Sequence, residues 1–252
     1  MNALSFQAAP DAIRHAIEAG TLKAGGWGDG THAVCMMSAI VNGAHGANDC
    51  VTAGWPEWLV LLNVYLFDAK VGAEDECKAR AKFALDAALA VSQPFDADKA
   101  RDLFLIRCLE TDDHSALASL RRMPVAADWR GGAEAAVIRV VDLLKRRING
   151  EGVADEMGSA RAAAEVWRKA AWGAARVAAE AGRVTAYIDA IAAAHAALRS
   201  AVNAAAGAFR ADACVAVRAW SYADYLSREA AAHAASADTR ADLIASIIEA
   251  QE

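Results

Sequence analysis

The sequence predicts an all-α protein, a multi-helix array with short, varied helices in its N-terminal half and long, alanine-seamed antiparallel helices in its C-terminal half. Three observations predict it. The four prolines, at positions 10, 56, 94 and 124, stand where helices can begin or be joined, and none interrupts a periodic run. β-branched residues are scattered, and no hairpin dipeptide lies between alternating runs. From Ser159 to Ser236, roughly two residues in five are alanine, the residue that loses least on entering a helix.

The elements follow in order. Pro10 opens a helix through Glu18, and Gly20 stops it. Thr31 caps a helix running to about Val41, ended by Asn42-Gly43. Pro56 stands at the first position of a helix to Phe67, and EWLVLLNVYLF is apolar on nearly every side, so it is expected to be buried all round. Helices over about 73–91 and 97–110 come next, the second capped by Asp96, and a short one follows around 114–122. GGAEAAVIRVVDLLKRRING gives another, with Val137, Val140, Val141 and Leu144 on one face and Gly150 after its end.

Composition shifts near Gly150, which suggests subdomains of 1–150 and 151–252 packed as one unit. In the first alanine-rich helix, Arg161, Glu165, Arg168, Arg176, Glu180 and Arg183 share an arc of about 120°. Arg161–Glu165 and Arg176–Glu180 are i,i+4 pairs within it, so the stripe reads as a solvated face. Opposite runs a seam of Ala163, Trp167, Ala170, Ala174, Ala178 and Ala181, small enough to let a neighbouring helix approach closely. Trp172 lies on the charged face between Arg168 and Arg176, where a cation–π stack is expected; these three form the candidate interaction patch. Tyr187, Ile191, His195, Leu198, Val202, Ala205 and Phe209 make a second seam, in which His195 reads as a hydrogen-bonded core histidine. Val215, Ala219, Tyr222 and Leu226 make a third. Thr239-Arg-Ala-Asp242 resembles a capping-box start for a last helix that docks through Leu243, Ile244, Ile247 and Ile248.

Composition excludes some function classes. The 252 residues carry a net charge of -6, and a pI near 5.6 argues against a nucleic-acid binder. Mean hydropathy is +0.16, and no run of about 18 uncharged apolar residues offers a membrane span. The N-terminal stretch lacks the basic flank and long apolar run of a signal peptide. Five cysteines, an odd number without framework spacing, fit a reducing cytoplasm.

Chemistry-bearing residues concentrate in THAVCMMSAIVNGAHGANDC, residues 31–50. His32, Cys35, His45 and Cys50 supply a nitrogen and sulfur set that zinc takes tetrahedrally, although the spacing is that of no familiar finger. Alternatively, Cys35 near a helix N-terminus, with His32 three residues before it and Asp29 or Asp49 to orient the imidazole, makes a candidate thiol nucleophile. Against both, a cysteine beside Met36 and Met37 reads as core filler, which is the favoured reading. The glycines of AGGWGDG lack the lysine and the preceding strand of a phosphate loop. No cofactor is expected.

Trp27, Gly30, Cys35, Met37, Ala39, Asp49, Cys50, Pro56 and Asp68, followed by Arg80, form a pattern. It resembles a group of uncharacterised alanine-rich helical proteins of phages, prophages and high-GC bacteria. The resemblance covers residues 27–80 and implies a mobile-element setting rather than an activity. The chain departs from the pattern in lacking a proline between the aspartate and the second cysteine, and His32 is no part of it. The expected function is therefore a non-enzymatic helical interaction protein, an accessory or inhibitor that binds a host or defence protein. The alternative is a cysteine-dependent hydrolase or transferase using Cys35 with His32.

Overall fold

A computed structural model describes residues 4–25, 35–41, 44–72, 74–111, 115–122, 129–180, 185–205 and 228–251. The all-α class holds: no strand forms among the described residues, and an isolated bridge joins Leu4 and Phe95. The chain divides into two compact units, one of residues 1–101 with 236–252 and one of residues 102–235. The composition shift at 150 falls inside the second of these units.

The first unit holds α1 (Ala9–Glu18), α2 (Met36–Ile40), α3 (Ala47–Thr52), α4 (Glu57–Asp68) and α5 (Glu76–Ser92). Pro10 sits in the first turn of α1, where its missing N–H costs nothing, and Gly20, at φ +66°, ends the helix in the left-handed region. The unit's core gathers Ile13, Met36, Met37, Leu59, Leu62, Leu66 and Phe67, all essentially inaccessible. The N-terminal segment is pinned by paired bonds between Leu4 and Phe95 and by Phe6 N–H to Val91 O. Phe6 also stacks on Trp55, ring centroids 3.8 Å apart.

Two expectations for this unit change. Thr31 lies outside the described residues; the helix observed is short, and Cys35 caps it, its Sγ accepting from Ser38 N–H at 3.3 Å. And α4 is not buried all round: Leu61 is 44% exposed and Tyr65 is exposed beside it. With Val64, Asp68, Ala69 and Ala47 of α3 they line a groove of about 490 Å³.

The last helix, α11 (Arg228–Glu249), contributes its C-terminal portion to this unit. No new helix starts at Thr239, which is fully buried in the interior of α11. Leu243 and Ile247 do face the core, whereas Ile248 is half exposed. Arg240, the neighbour of Thr239, is buried and forks onto the end of α4, donating to Leu66 O at 2.9 and 2.6 Å and to Ala69 O at 2.6 Å. Arg80 donates to Phe67 O between them. Two guanidinium groups thus satisfy carbonyls that the helix terminus leaves without intrahelical donors.

α6 (Ala97–Ile106), capped by Asp96 as expected, continues as a π-helical turn over Arg107–Thr111. The second unit then comprises α7 (Ala116–Arg122), α8 (Arg130–Ile148), α9 (Ala154–Glu180) and α10 (Thr185–Ala205). Val137, Val140, Val141 and Leu144 are buried on α8, and Gly150 at φ +83° closes the helix. Arg147 forks onto the buried carboxylate of Asp102, both bonds 2.6 Å. The expected helix over 215–226 lies outside the described residues.

The alanine seam of α9 exists but is turned. Its wholly buried members are Ala160, Ala164 and Ala171, with Trp167 and Ala174 only partly covered and Ala163 exposed. Relative to the expected seam this is a rotation of roughly 60° towards Arg168. Alanines fill both sides, so counting them does not locate the contact. The indole of Trp167 does: a Cβ on Gly132 of α8 would lie 2.2 Å from its ring. Gly132→Ala should therefore destabilise, an overpacking cost of about 1–3 kcal/mol outweighing a helix-propensity gain of up to about 1 kcal/mol. Gly173→Ala on α9, with nothing within 4 Å of its Cβ, should show the gain alone. Thermal melts of the two variants should move in opposite directions, and a stabilised Gly132→Ala would remove Trp167 from this contact.

Candidate functional site

The cysteine region comes first. α3, a helix not anticipated between the two cysteines, begins after Gly46, and Asp49 in its first turn accepts from His45 N–H at 2.8 Å. This turns Cys50 inward, fully buried, while the His45 side chain stays exposed. Cys35 is buried too, at the N-cap of α2 rather than within its first turn. The backbone amides of Ser38 and Met37 favour the Cys35 thiolate, but burial outweighs them and pushes the thiol up. Cys50 is pushed up to about 11 by burial first, then by the charges of Cys35 and Asp49. Both are free thiols held protonated at neutral pH, the reverse of what a nucleophile requires.

Of the candidate zinc set, His32 lies outside the described residues, and the structure turns His45 and the two cysteines to different surroundings. No group of three or more metal-binding side chains forms among the described residues. The described residues of the pattern have local structural partners. Cys35 caps α2, Asp49 anchors the start of α3, and Pro56 precedes α4. Asp68 accepts from Gly25 N–H at 3.0 Å, and Arg80 caps the far end of α4.

The second constellation, on α9 and α10, joins residues that the sequence placed apart. Arg168 grips Glu165 with both carboxylate oxygens, at 2.7 and 2.6 Å, leaving Nη1 to reach His195 Nε2 at 3.0 Å. This i,i+3 fork takes the place of the expected Arg161–Glu165 pair, and Arg161 acts on Glu165 only through its field. Arg168 holds the Glu165 carboxyl below the usual range, and Glu165 in turn raises the guanidinium. His195 is half-buried rather than sunk in an apolar seam, and burial, with the charges of Arg168 and Arg199, pushes its imidazole below the ordinary value.

Trp172 lies across this cluster, 62% exposed, with its ring centroid 5.2 Å from that of His195 and a 48° tilt. The aromatic contact is thus to the imidazole, not the expected stack with Arg168 and Arg176. Arg176 is exposed and pairs loosely with Glu180 at 3.8 Å. Sequence reasoning found Trp172 and Arg168 but missed the role of His195; the signal was present, since turning the α9 seam by one position brings Arg168 to the α10 edge. No protein-family model, curated protein or solved structure matches the chain.

Proposed function

We propose that the chain is a non-catalytic helical interaction protein whose partner docks on the α9 surface around Trp172. The observation that carries this reading is an indole left mostly in solvent while its ring packs on a cluster tied together by Arg168. Exposed Arg176 lies one turn beyond Trp172 on the same face of the helix. Tryptophan and arginine are enriched in binding hot spots, the first for its large rigid contact area and the second for its planar fork of donors. The protonated, buried thiols support a scaffold role for Cys35 and Cys50 over catalysis. The resemblance over residues 27–80 supports a mobile-element accessory or inhibitor, with a host or defence protein as the partner, and a cytoplasmic setting.

The test is co-purification of tagged protein from the cells that express it. Trp172→Ala and Arg176→Glu should release the partner without changing the melting temperature, whereas Cys35→Ala should retain it in protein that stays folded. A partner held equally by the Trp172→Ala variant, or lost from a well-folded Cys35→Ala variant, would overturn the reading.

A further inference from the structure

We propose that His195 is a proton-operated latch between α9 and α10, which neutral accepts the hydrogen bond of Arg168 and protonated exchanges Arg168 for Glu165 and the ring of Trp172. The proposal concerns the two helices themselves and holds whatever docks on Trp172.

The geometry fixes the starting state. A guanidinium has only donors, so the 3.0 Å contact between Arg168 Nη1 and His195 Nε2 requires Nε2 to be the acceptor. The imidazole is then neutral, with its proton on Nδ1. Arg168 cannot swing away to accommodate another state, because Nε and Nη2 are both committed to Glu165 on the same helix. The donor is therefore held in place, and it tolerates only the neutral ring.

A proton arriving from solvent binds at Nε2, the lone pair that Arg168 uses. The hydrogen bond becomes a contact between two cations, with Arg199 adding a third on α10. Two groups draw the imidazolium the other way. Glu165 favours the charged ring, and the centroid of the Trp172 indole is already 5.2 Å from that of the imidazole, within the range at which a cation gains from an aromatic ring. Each protonation state thus has its own partners within one cluster, and that separates a latch from an ordinary half-buried histidine. Of the other elements packed on α10, α7, α8 and the π-helical turn over Arg107–Thr111 contribute no charge that acts on His195 among the described residues.

The direction with pH follows from the imidazole lying below its ordinary value in the folded chain. Above about 6.5 neither the folded nor the unfolded chain protonates it, and the latch contributes fully. As pH falls from there through the lower folded value, the unfolded chain takes up more protons and the contribution is lost. Acid therefore loosens the Arg168 link and draws the ring towards Trp172.

Side-chain NMR titration of the six histidines tests this directly. The resonance missing from His195→Gln should titrate below pH 6.5. Trp172 emission, taken as the difference between the wild type and Trp172→Phe, should fall with the same midpoint, because an imidazolium quenches a neighbouring indole. His195→Gln keeps an acceptor for Arg168 at every pH, so it should abolish the emission step and flatten the acid loss of melting temperature over that window. Arg168→Gln, which removes the opposing cation, should raise the midpoint, and it serves as the second variant should His195→Gln fail to fold. Titration of His195 at or above pH 6.5, a midpoint unmoved by Arg168→Gln, or an emission step that persists in His195→Gln would overturn the latch.

Discussion

Arg240→Met should lower the stability of the first unit by about 2–4 kcal/mol, although position 240 lies on an alanine-rich helix far along the chain from anything it touches. The guanidinium donates to Leu66 O and Ala69 O and lies over the ring of Phe83, 5.0 Å from its centroid. Methionine keeps most of the apolar stem and the contact with Phe83, so the loss reports the donors alone. Two carbonyls at the end of α4 would be left without them, and each buried acceptor stripped of its partner costs about 1–3 kcal/mol. An opposing effect reduces the sum: burial pushes the guanidinium down to about 10, so removing the charge relieves a desolvation cost the fold already carries. The carbonyls win because at neutral pH the guanidinium remains charged and its bonds are short. Arg240→Lys should recover only part of the loss, since an ammonium is a point charge without the planar fork that spans Leu66 and Ala69. Urea denaturation measures both variants. A midpoint unchanged in Arg240→Met would show that α11 does not hold the end of α4.

What the sequence made legible, and what it did not, divides along this same line between local and distant causes. Pro10, Gly20, Asp96 and Gly150 act within one helical turn of themselves, and each helix end they signalled is where the structure has it. The class of fold needed no more than that, together with alanine's preference for helix. Thr239 shows the limit. A Thr-Arg-Ala-Asp run has the chemistry of a helix start, yet no break in the backbone precedes it, and Thr239 packs inside a 22-residue helix. A cap signal is conditional on the chain having something to end, and a run of alanines offers no reason to end. Cys35 shows the converse, a capping role taken by a thiol that no propensity ranking would nominate. The patch on α9 was half legible. Trp172 and Arg168 stood out as an aromatic and a cation on a polar face, but the partner that organises them is on α10, and a rotation of one seam position decided which residues meet.

Leu62→Ala should cost about 2–5 kcal/mol, the loss of a fully buried side chain and the cavity it leaves, whereas Leu61→Ala, its neighbour in sequence, should change stability by less than about 1 kcal/mol. The two side chains point about 100° apart around α4. Leu62 faces the interior with Leu59, Leu66 and Phe67; Leu61 faces the groove with Tyr65 and Asp68. The sequence could not separate them, because a helix apolar on every side carries no polar stripe to mark the solvent. Only the surroundings decide, and here α2, α3 and α5 pack on α4 while the Leu61 edge stays open. Leu61→Asp extends the test. On an open edge a carboxylate stays hydrated, so this variant should melt within a few degrees of wild type, whereas at a covered position it would be buried without a partner and the unit would unfold. Equal losses for Leu61→Ala and Leu62→Ala would mean that the groove is filled in solution. A tolerant Leu61 beside an intolerant Leu62 would leave α4 as a helix whose apolar outer edge the fold does not use, as it leaves most of the Trp172 side chain in solvent.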